Sequence, residues 1–204
     1  MIILIDLDGT LLNARERLYL LFKMLVPECD LSITDYWDLK RAKVTHELIL
    51  SKHYGYIDKQ IADFEVEWMN LIEEESWLKR DVIFAGVCEH LRILGRAADL
   101  YLVTARQRPE MVDSQLEHLG LKNIFTNILV TGGKLLKDDV VMGLPLAKDH
   151  WIIGDTGHDI EVGKRLGIRT ASVTNGFLSR ESLEPYRPDL MIESFTDFSI
   201  DFLN

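Results

Sequence analysis

Short apolar runs recur along the chain, and each of them ends at polar or glycine residues. The clearest runs cover residues 1–5, 100–103 and 151–153, and weaker runs cover residues 128–130, 170–173 and 190–192. Runs of this length, apolar at every position and containing β-branched residues, are typical of strands buried on both faces of a parallel sheet. We therefore predict a strand at each run.

Helical patterns lie between the predicted strands. Residues 109–119 begin with Pro109 and are followed by Gly120, and residues 159–166 are followed by Gly167. Proline is common at a helix start and glycine just past a helix end. Because strands and helices alternate, we predict an α/β fold with a doubly wound parallel sheet and right-handed crossovers. Its ligand crevice is expected at the carboxyl ends of the strands.

The segment 14–80 departs from this plan, because it contains no convincing strand and its apolar and aromatic residues recur at helical spacing. These residues are Leu18, Leu21, Phe22, Leu25, His46, Ile49, Leu50, Ile61, Phe64, Trp68, Leu71 and Ile72. We predict a helical insertion over residues 14–80, and a core domain formed by residues 1–13 and 81–204. Hinges near residues 13–14 and 80–82 would let the insertion cover the crevice as a small lid.

Composition and charge narrow the class of protein. Of the 204 residues, 47% are hydrophobic and 27% are charged, and no segment approaches the roughly 20 consecutive apolar residues of a membrane span. We predict a soluble globular protein that does not bind membranes, and the absence of a secretory signal favours the cytoplasm. The net charge of -10 argues against nucleic-acid polymers as partners. Cys29 and Cys88 lack metal-ligand spacing and are interpreted as structural thiols.

Two pairs of aspartates follow predicted strands. Asp6 and Asp8 flank one residue after the first strand, and Asp155 and Asp159 follow a later one. Carboxylates this close at a buried strand end repel each other, and a bound cation relieves the repulsion. The structural alternative is that Asp8 begins a turn and Asp159 caps a helix. Two acidic strand ends in one crevice favour a metal site, and Mg²⁺ prefers oxygen ligands of this kind.

Several segments resemble motifs of the haloacid dehalogenase-like (HAD) hydrolase superfamily. Residues 6–11 (Asp-Leu-Asp-Gly-Thr-Leu) are similar to the first motif, residues 103–105 (Val-Thr-Ala) to the second, and Gly154-Asp155 with Asp159 to the fourth. Residues 84–87 (Phe-Ala-Gly-Val) resemble the segment that returns from a helical cap in phosphoglycolate-phosphatase-like members. The resemblance covers the whole chain. It implies a Rossmann-like core and makes the insertion a small all-helical cap domain placed after the first motif.

The third motif of the superfamily is a lysine, and here the sequence departs from the common Lys-Pro form. Lys134, Lys137 and Lys148 are all available. We favour Lys137, because it precedes the helical run 138–142 and would stand at a helix start. Lys134 sits in a glycine turn, and Lys148 lies almost on a predicted strand.

The resemblance implies a Mg²⁺-dependent phosphatase that hydrolyses a small-molecule phosphate ester. Asp6 is the expected nucleophile, which forms an aspartyl-phosphate, and Asp8 is the expected general acid and base. Thr104 and Lys137 are expected to stabilise the charge of the transferring phosphoryl group. The expected Mg²⁺ ligands are Asp6, Asp8 through its backbone carbonyl, Asp155 and Asp159.

Substrate contacts are less well defined by the motifs. The candidates are Thr104, Ala105, Arg106 and Lys134. Arg106 either contacts the substrate or lies on the surface, and a lysine that is not the motif lysine is explained as a solvated residue. The aromatic residues of the insertion are interpreted mainly as packing residues: Tyr36, Trp37, Tyr54, Tyr56 and Trp68. The sequence therefore does not specify the leaving group of the substrate. His46 and His53 are likewise interpreted as structural, and we expect a monomer or a weak homodimer.

Other activities of the same superfamily stay open at this point. Asp8 argues against a halide-removing dehalogenase, since those relatives lack a second aspartate there and need no metal. A phosphonate hydrolase would need a Schiff-base lysine in the cap, and the candidates Lys40, Lys43 and Lys52 are better explained as a solvated helix face. A phosphosugar mutase shares all the core motifs. A catalytically idle domain that binds a partner protein through the cap is the alternative from another class.

Overall fold

A computed structural model describes residues 1–203 of the chain. The strands are β1 (Ile2–Ile5), β2 (Leu12–Asn13), β3 (Val82–Ile83), β4 (Asp99–Thr104), β5 (Asn127–Val130), β6 (Trp151–Gly154), β7 (Arg169–Val173) and β8 (Leu190–Ile192). Six of them form a parallel sheet in the order β5-β4-β1-β6-β7-β8. The strand order reverses on either side of β1, which is the topology of a doubly wound sheet.

Ten α-helices accompany the sheet within the described residues. They are α1 (Arg15–Leu25), α2 (Ile33–Arg41), α3 (His46–His53), α4 (Asp58–Leu71), α5 (Glu75–Leu78), α6 (Val87–Leu94), α7 (Pro109–His118), α8 (Lys137–Val141), α9 (Gly157–Leu166) and α10 (Arg180–Leu183). Short 3₁₀ helices cover Lys122–Ile124, Glu184–Tyr186, Phe195–Asp197 and Ile200–Leu203. No helix of this part of the chain has the length and apolar composition needed to cross a membrane.

Both faces of the sheet are buried, which explains the unbroken apolar runs. In β1, Ile3 and Ile5 face a core that α6 and α7 cover. Ile2 and Leu4 face the opposite core, to which α8 and α9 contribute Val141 and Val162. The predicted α/β fold with a parallel sheet is therefore confirmed.

The predicted elements agree with the structure apart from their ends and a few omissions. All six sheet strands occur at the predicted runs, with ends that differ by one residue at most. Helix α9 begins at Gly157 rather than Asp159, because Asp159 lies in the first turn and accepts hydrogen bonds from the backbone and side chain of Thr156. Strands β2 and β3 and helices α2, α5, α6 and α10 were not predicted individually. The two strands are only two residues long, too short for a periodic pattern to show.

The helical insertion contains α1 to α5 and has a hydrophobic core of its own. Phe22, Tyr36, Ile49 and Leu50 are fully buried within it. The aromatic residues named above, including Trp68, take part in this cluster, as their interpretation as packing residues requires. At its root, β2 and β3 form a two-residue antiparallel ribbon, so the chain leaves and re-enters the core side by side.

Candidate active site

Three neighbouring strands bring the predicted site residues to one edge of the sheet. Thr104 ends β4, Asp6 follows β1, and Asp155 follows β6, and these strands are adjacent in the order β4-β1-β6. Parallel strands end at the same edge, so these residues from distant parts of the sequence meet there. They line a cavity of about 350 Å³, to which the exposed Ala105 and the buried Lys137 also contribute.

The centre of the cavity is an acidic cluster bound to one lysine. One carboxylate oxygen from each of Asp6, Asp155 and Asp159 lies within 4.8 Å of the others. Lys137 Nζ donates to Asp6 Oδ1 at 2.5 Å and to Asp159 Oδ1 at 2.6 Å. Lys137 is buried at the start of α8, and the ion pairs fix its position. Of the three candidate lysines, the structure brings this one to the site.

Lys134 and Lys148 are both exposed and lie outside the cavity. Lys134 follows two glycines in the left-handed conformation, Gly132 and Gly133, which turn the chain between β5 and α8. This turn leaves Lys134 in solvent while Lys137 enters the core. The expected contact of Lys134 with substrate therefore has no support from the geometry of the cavity and stays a prediction.

Burial governs the pKa values of the three carboxylates. Burial raises the pKa of Asp6 to about 7, although Lys137 opposes this rise. Burial and repulsion from Asp6 raise the pKa of Asp155 well above its ordinary value. For Asp159, burial is outweighed by Lys137 and by the hydrogen bonds of Thr156, and its pKa is lowered. When all three are ionised, they face a single ammonium group, which leaves two negative charges uncompensated.

The donor set of this cluster fits a hard divalent cation. Asp155 Oδ2 accepts the backbone N–H of Phe177 at 2.6 Å, whereas its Oδ1 is buried and has no hydrogen-bond partner among residues 1–203. A buried carboxylate oxygen without a partner is costly unless a cation binds it. The oxygen ligands, and the two negative charges that remain when all three carboxylates are ionised, match the preferences of Mg²⁺.

Gly9 lets the first motif approach this cluster closely. Its φ is +79°, a conformation that glycine adopts readily, and a Cβ there would lie 1.9 Å from Asp155 Oδ2. Any side chain at this position would thus displace the Asp155 carboxylate. The glycine of the motif is explained by the need to place the loop after β1 against Asp155.

The carboxylate of Asp8 does not join the acidic cluster. Arg106 donates from Nε to Asp8 Oδ2 at 2.6 Å and from Nη2 to Oδ1 at 2.7 Å, and Arg17 Nη2 donates to Oδ1 at 2.7 Å. Burial alone would raise the pKa of Asp8, but the two arginines outweigh it and lower the pKa to about 2. The expectation of Asp8 as a metal ligand therefore does not extend to its side chain; the role of its backbone carbonyl stays a prediction.

Arg106 is part of the site and not a surface residue. Its side chain is only 4% exposed, and it lines the same cavity as Asp6 and Thr104. Its backbone N–H donates to Thr104 Oγ1 at 3.4 Å. The interpretation as a solvated arginine is wrong, because the helical insertion covers this position.

Several residues of the cavity had no signal in the sequence. Arg17 in α1 and Glu73 after α4 come from the insertion, and Phe177 follows β7. Asp81, at the return of the insertion to the core, does not line the cavity but pairs with Arg17. Each belongs to a segment without a recognisable motif. Arg17 could have been noticed only as a charged residue next to the apolar stripe of α1, which is a weak signal.

The lysines considered for a Schiff base lie away from the site. Lys43 and Lys52 are exposed, as expected of a solvated helix face. Lys40 is instead half-buried in a separate cavity beside His46 and Trp68, and its Nζ donates to Val44 O at 3.2 Å. None of these lysines lines the cavity that contains Asp6, so the structure offers no support for a phosphonate hydrolase with such a lysine at this site.

The fold and the site together define an α/β enzyme with its reactive groups at the carboxyl edge of a parallel sheet. The family model of the haloacid dehalogenase-like hydrolases matches residues 3–173. The chain therefore belongs to the haloacid dehalogenase-like hydrolase family.

Relatives and solved structures agree with this family over nearly the whole chain. Pyrophosphatase PpaX from Listeria welshimeri is 27% identical, over 96% of this chain and 93% of the relative. A phosphoglycolate phosphatase from Synechococcus elongatus is 21% identical with the same coverage. A haloacid dehalogenase-like family hydrolase from Streptococcus pneumoniae superimposes with a TM-score of 0.78 at 21% identity, covering 96% of this chain and 95% of that one. The last comparison bears on the fold alone.

Proposed function

We propose that this protein is a Mg²⁺-dependent phosphatase that hydrolyses a small phosphate compound through an aspartyl-phosphate on Asp6. The observation that carries the proposal is the buried cluster of Asp6, Asp155 and Asp159 around the single ammonium group of Lys137, at the carboxyl edge of the sheet. The names of the relatives, a pyrophosphatase and phosphoglycolate phosphatases, support the same class of reaction.

Asp6, Asp155 and Asp159 would hold the Mg²⁺ ion, with the backbone carbonyl of Asp8 as a further ligand. Bound there, the ion would supply positive charge that neutralises the phosphoryl oxygens. Lys137 adds a second positive charge next to Asp6, and Thr104 offers its hydroxyl group at the neighbouring strand end. These groups would position the phosphoryl group and stabilise the charge of the transition state, on which phosphoryl transfer mostly depends.

The covalent step begins with attack of a carboxylate oxygen of Asp6 on phosphorus, which breaks the bond to the leaving oxygen. Asp8 would donate a proton to that oxygen, and would then accept a proton from the water that hydrolyses the aspartyl-phosphate. Asp8 is held here as an anion by Arg17 and Arg106. It is thus ready to act as a base, and its role as an acid requires that substrate binding weakens its contacts with these arginines.

The helical insertion, residues 14–80, is proposed to be the cap of this enzyme, with residues 1–13 and 81–204 as its core domain. Arg17 and Glu73 extend from the insertion into the cavity, and Arg41 donates to the carbonyl oxygens of Thr174 and Gly176 at 2.7 and 2.8 Å. The insertion therefore covers the cavity and contacts the core on two sides. A cap of this kind would exclude water from the reaction.

The test is the release of inorganic phosphate from p-nitrophenyl phosphate and from a panel of small phosphate esters and pyrophosphate, with and without Mg²⁺. We expect Mg²⁺-dependent release by the wild type and none above background by Asp6→Asn. Asp99→Asn is the matched control, because Asp99 is exposed at the opposite end of the sheet, and it should keep full activity. Asp8→Asn should lose at least about a hundredfold in turnover if Asp8 is the general acid.

The same assays separate the alternative functions. A phosphosugar mutase would convert one sugar phosphate isomer into another with little phosphate release. A protein-binding domain without catalysis would release no phosphate from any member of the panel, and that result would overturn the phosphatase proposal.

A further inference from the structure

Two buried guanidinium groups lie beside the proposed nucleophile, and the chemistry of phosphoryl transfer alone does not account for both. Arg17 comes from α1 in the insertion, and Arg106 follows β4 in the core. Their side chains are only 3% and 4% exposed, and both line the cavity that contains Asp6. We propose that they form a subsite for a second anionic group, a phosphate or a carboxylate, carried by the leaving group of the substrate. This inference rests on the proposed phosphatase function.

The arginines are held in place from behind. The Asp81 side chain is fully buried and accepts from Arg17 Nε at 2.8 Å and from Arg106 Nη2 at 3.4 Å. Gln115 Nε2 donates to the same carboxylate at 2.9 Å, and Arg17 Nη1 donates to the carbonyl oxygen of Ile72 at 2.9 Å. Asp81 is thus a positioning residue that orients both guanidinium groups. Because they are ordered in advance, they lose little entropy when an anion binds.

The two guanidinium groups offer more donors than their partners accept. Arg17 Nη2 and Arg106 Nε and Nη2 all converge on the carboxylate of Asp8. Arg106 Nη1 is buried and donates to no group within residues 1–203. A network whose only purpose was to join the insertion to the core would be expected to satisfy its buried donors, since an unsatisfied one costs stability. The network is thus short of acceptors, and an anionic ligand that takes over part of the contacts with Asp8 would supply them.

The position of the arginines assigns them to the leaving group and not to the transferred phosphoryl group. Lys137, Thr104 and the acidic cluster surround Asp6 and account for the transferred group. The arginines instead contact Asp8, the residue proposed to protonate the leaving oxygen. An anionic group attached close to that oxygen would lie next to Arg17 and Arg106, where planar guanidinium groups bind phosphate or carboxylate oxygens with paired hydrogen bonds.

The walls of the cavity limit the size of the leaving group. Leu18 and Ile72 from the insertion and Phe177 from the core provide apolar surface around the subsite, within a total volume of about 350 Å³. Glu73 lines the same cavity, but its carboxylate oxygens accept the backbone N–H groups of Gln107 and Arg108 at 2.8 and 2.9 Å. The subsite therefore favours a compact substrate in which the anionic group lies within a few bonds of the phosphoryl group.

The test compares substrates of similar size that differ in charge. Pyrophosphate carries a second phosphate, 2-phosphoglycolate carries a carboxylate, and ethyl phosphate carries neither. We expect kcat/KM of the wild type to be at least about tenfold higher for one or both anionic substrates than for ethyl phosphate, as hydrogen bonds to a charged group imply. Whichever anionic substrate is preferred identifies the group, phosphate or carboxylate, that the subsite takes.

Variants of the arginines test the assignment to residues. Arg106→Lys and Arg17→Lys keep the positive charge and lose the planar fork, so the network retains its charge balance. Because both arginines contact Asp8, each variant should lower kcat/KM for every substrate. The subsite is tested by the ratio of kcat/KM for the preferred anionic substrate to kcat/KM for ethyl phosphate, which should fall about tenfold or more. Arg41→Lys is the matched control: Arg41 also joins the insertion to the core but lies outside the cavity, and it should affect all substrates by the same factor.

Binding measurements keep this inference separable from the proposed function. Calorimetric titration of Asp6→Asn in the presence of Mg²⁺ should show tighter binding of the preferred anionic substrate than of ethyl phosphate, and Arg106→Lys in this background should remove the difference. Equal kcat/KM for charged and uncharged substrates, with normal phosphate release, would overturn the subsite and leave the phosphatase proposal intact. Selective binding without any turnover would overturn the phosphatase proposal and leave the subsite intact. If the protein shows neither turnover nor selective binding, both the phosphatase proposal and the subsite are overturned.

Discussion

Some single residues, at the site and inside the insertion, are closely surrounded by other groups of the protein. Gly9 approaches Asp155 so closely that no side chain fits, Lys137 is enclosed between two carboxylates, and the ring of His46 is packed inside the insertion. At each of these positions, the contacts indicate how a substitution or a change of protonation should affect the stability of the protein. Two of them lead to quantitative expectations.

Replacement of Gly9 by alanine should damage both stability and activity. The φ of +79° disfavours any side chain, and the new Cβ would overlap the Asp155 carboxylate. We expect Gly9→Ala to lower the free energy of unfolding by at least about 2 kcal/mol. Gly120→Ala is the matched control, because Gly120 has a φ of +68° with no atom near its Cβ position, and it should cost only about 1 kcal/mol. Equal losses in urea unfolding would contradict the explanation by steric overlap.

His46 should make the stability of the protein dependent on pH. Burial, and to a lesser degree Lys40, lower the pKa of His46 from 6.5 to about 3, so the folded state favours the neutral ring. The corresponding stability is complete above pH 6.5 and is lost as the pH falls from about 6.5 towards 3, by up to about 1.4 kcal/mol per pH unit.

Urea unfolding of the wild type and of His46→Gln at pH 7 and pH 5 checks this expectation. His46 Nε2 lies 2.9 Å from Tyr36 Oη, and glutamine offers an amide at this position that does not titrate. The variant should lose less stability between the two pH values than the wild type. His53→Gln, on the exposed face of the same helix, should behave as the wild type does. An unchanged pH dependence in His46→Gln would show that other groups cause it.

At the scale of secondary-structure elements, the end of the insertion is connected to the start of α7. Glu73 accepts the two backbone N–H groups that precede this helix, those of Gln107 and Arg108. The first N–H groups of a helix lack partners within the helix, and a carboxylate near a helix start is favoured by the helix dipole. One side chain of the insertion therefore stabilises a core helix whose preceding loop contains Arg106.

Removal of the Glu73 carboxylate should loosen this connection. Glu73→Ala leaves two backbone donors without partners, and we expect the free energy of unfolding to fall by about 2 kcal/mol. Amide hydrogen exchange at residues 107 and 108 should become faster. Glu74→Ala is the control: its ion pair with Arg108 is exposed on both sides, and such pairs contribute at most about 1 kcal/mol. Unchanged exchange in Glu73→Ala would mean that these hydrogen bonds are weak in solution.

At the scale of the whole molecule, the acidic cluster joins elements from both halves of the core. Asp6 belongs to the loop after β1, Asp155 to the loop after β6, and Lys137 to α8. Charge that is not balanced at this junction destabilises the folded state, and a cation that binds only the folded state stabilises it. Metal binding should therefore be visible as a change in global stability, independently of any activity.

Addition of Mg²⁺ should raise the melting temperature, and removal by EDTA should lower it. At a free Mg²⁺ concentration about 100 times Kd, the gain in free energy of unfolding is about 2.7 kcal/mol. Asp155→Asn should abolish this gain, because it removes a carboxylate from the centre of the cluster. Asp113→Asn, at an exposed residue paired with Lys122, should keep it. Scanning calorimetry at constant ionic strength measures the melting temperature of the wild type and of both variants, with Mg²⁺ and with EDTA. If Mg²⁺ raises the melting temperature of Asp155→Asn as much as that of the wild type, this cluster is excluded as the metal site.

The sequence by itself determined the sheet, the family and the first-motif residues. Strands buried on both faces must be apolar at every position, so their runs were visible without any tertiary information. The residues directly after those strands, among them Asp6, Thr104 and Asp155, were expected to converge because parallel strands end at one edge. The enzyme class predicted from them, a HAD-like phosphatase, is confirmed by the family match and the phosphatase-named relatives.

Only the tertiary structure decided which lysine reaches Asp6, which group Asp8 contacts, and what covers the cavity. Lys137 and Lys134 are three residues apart, and their difference arises from a glycine turn that leaves one in solvent. Arg17 and Asp81 are 64 residues apart and meet only because the insertion folds back on the core. Local periodicity reports whether a residue faces a core, but pairing between distant charged side chains depends on how whole elements pack, and this leaves no pattern in the sequence.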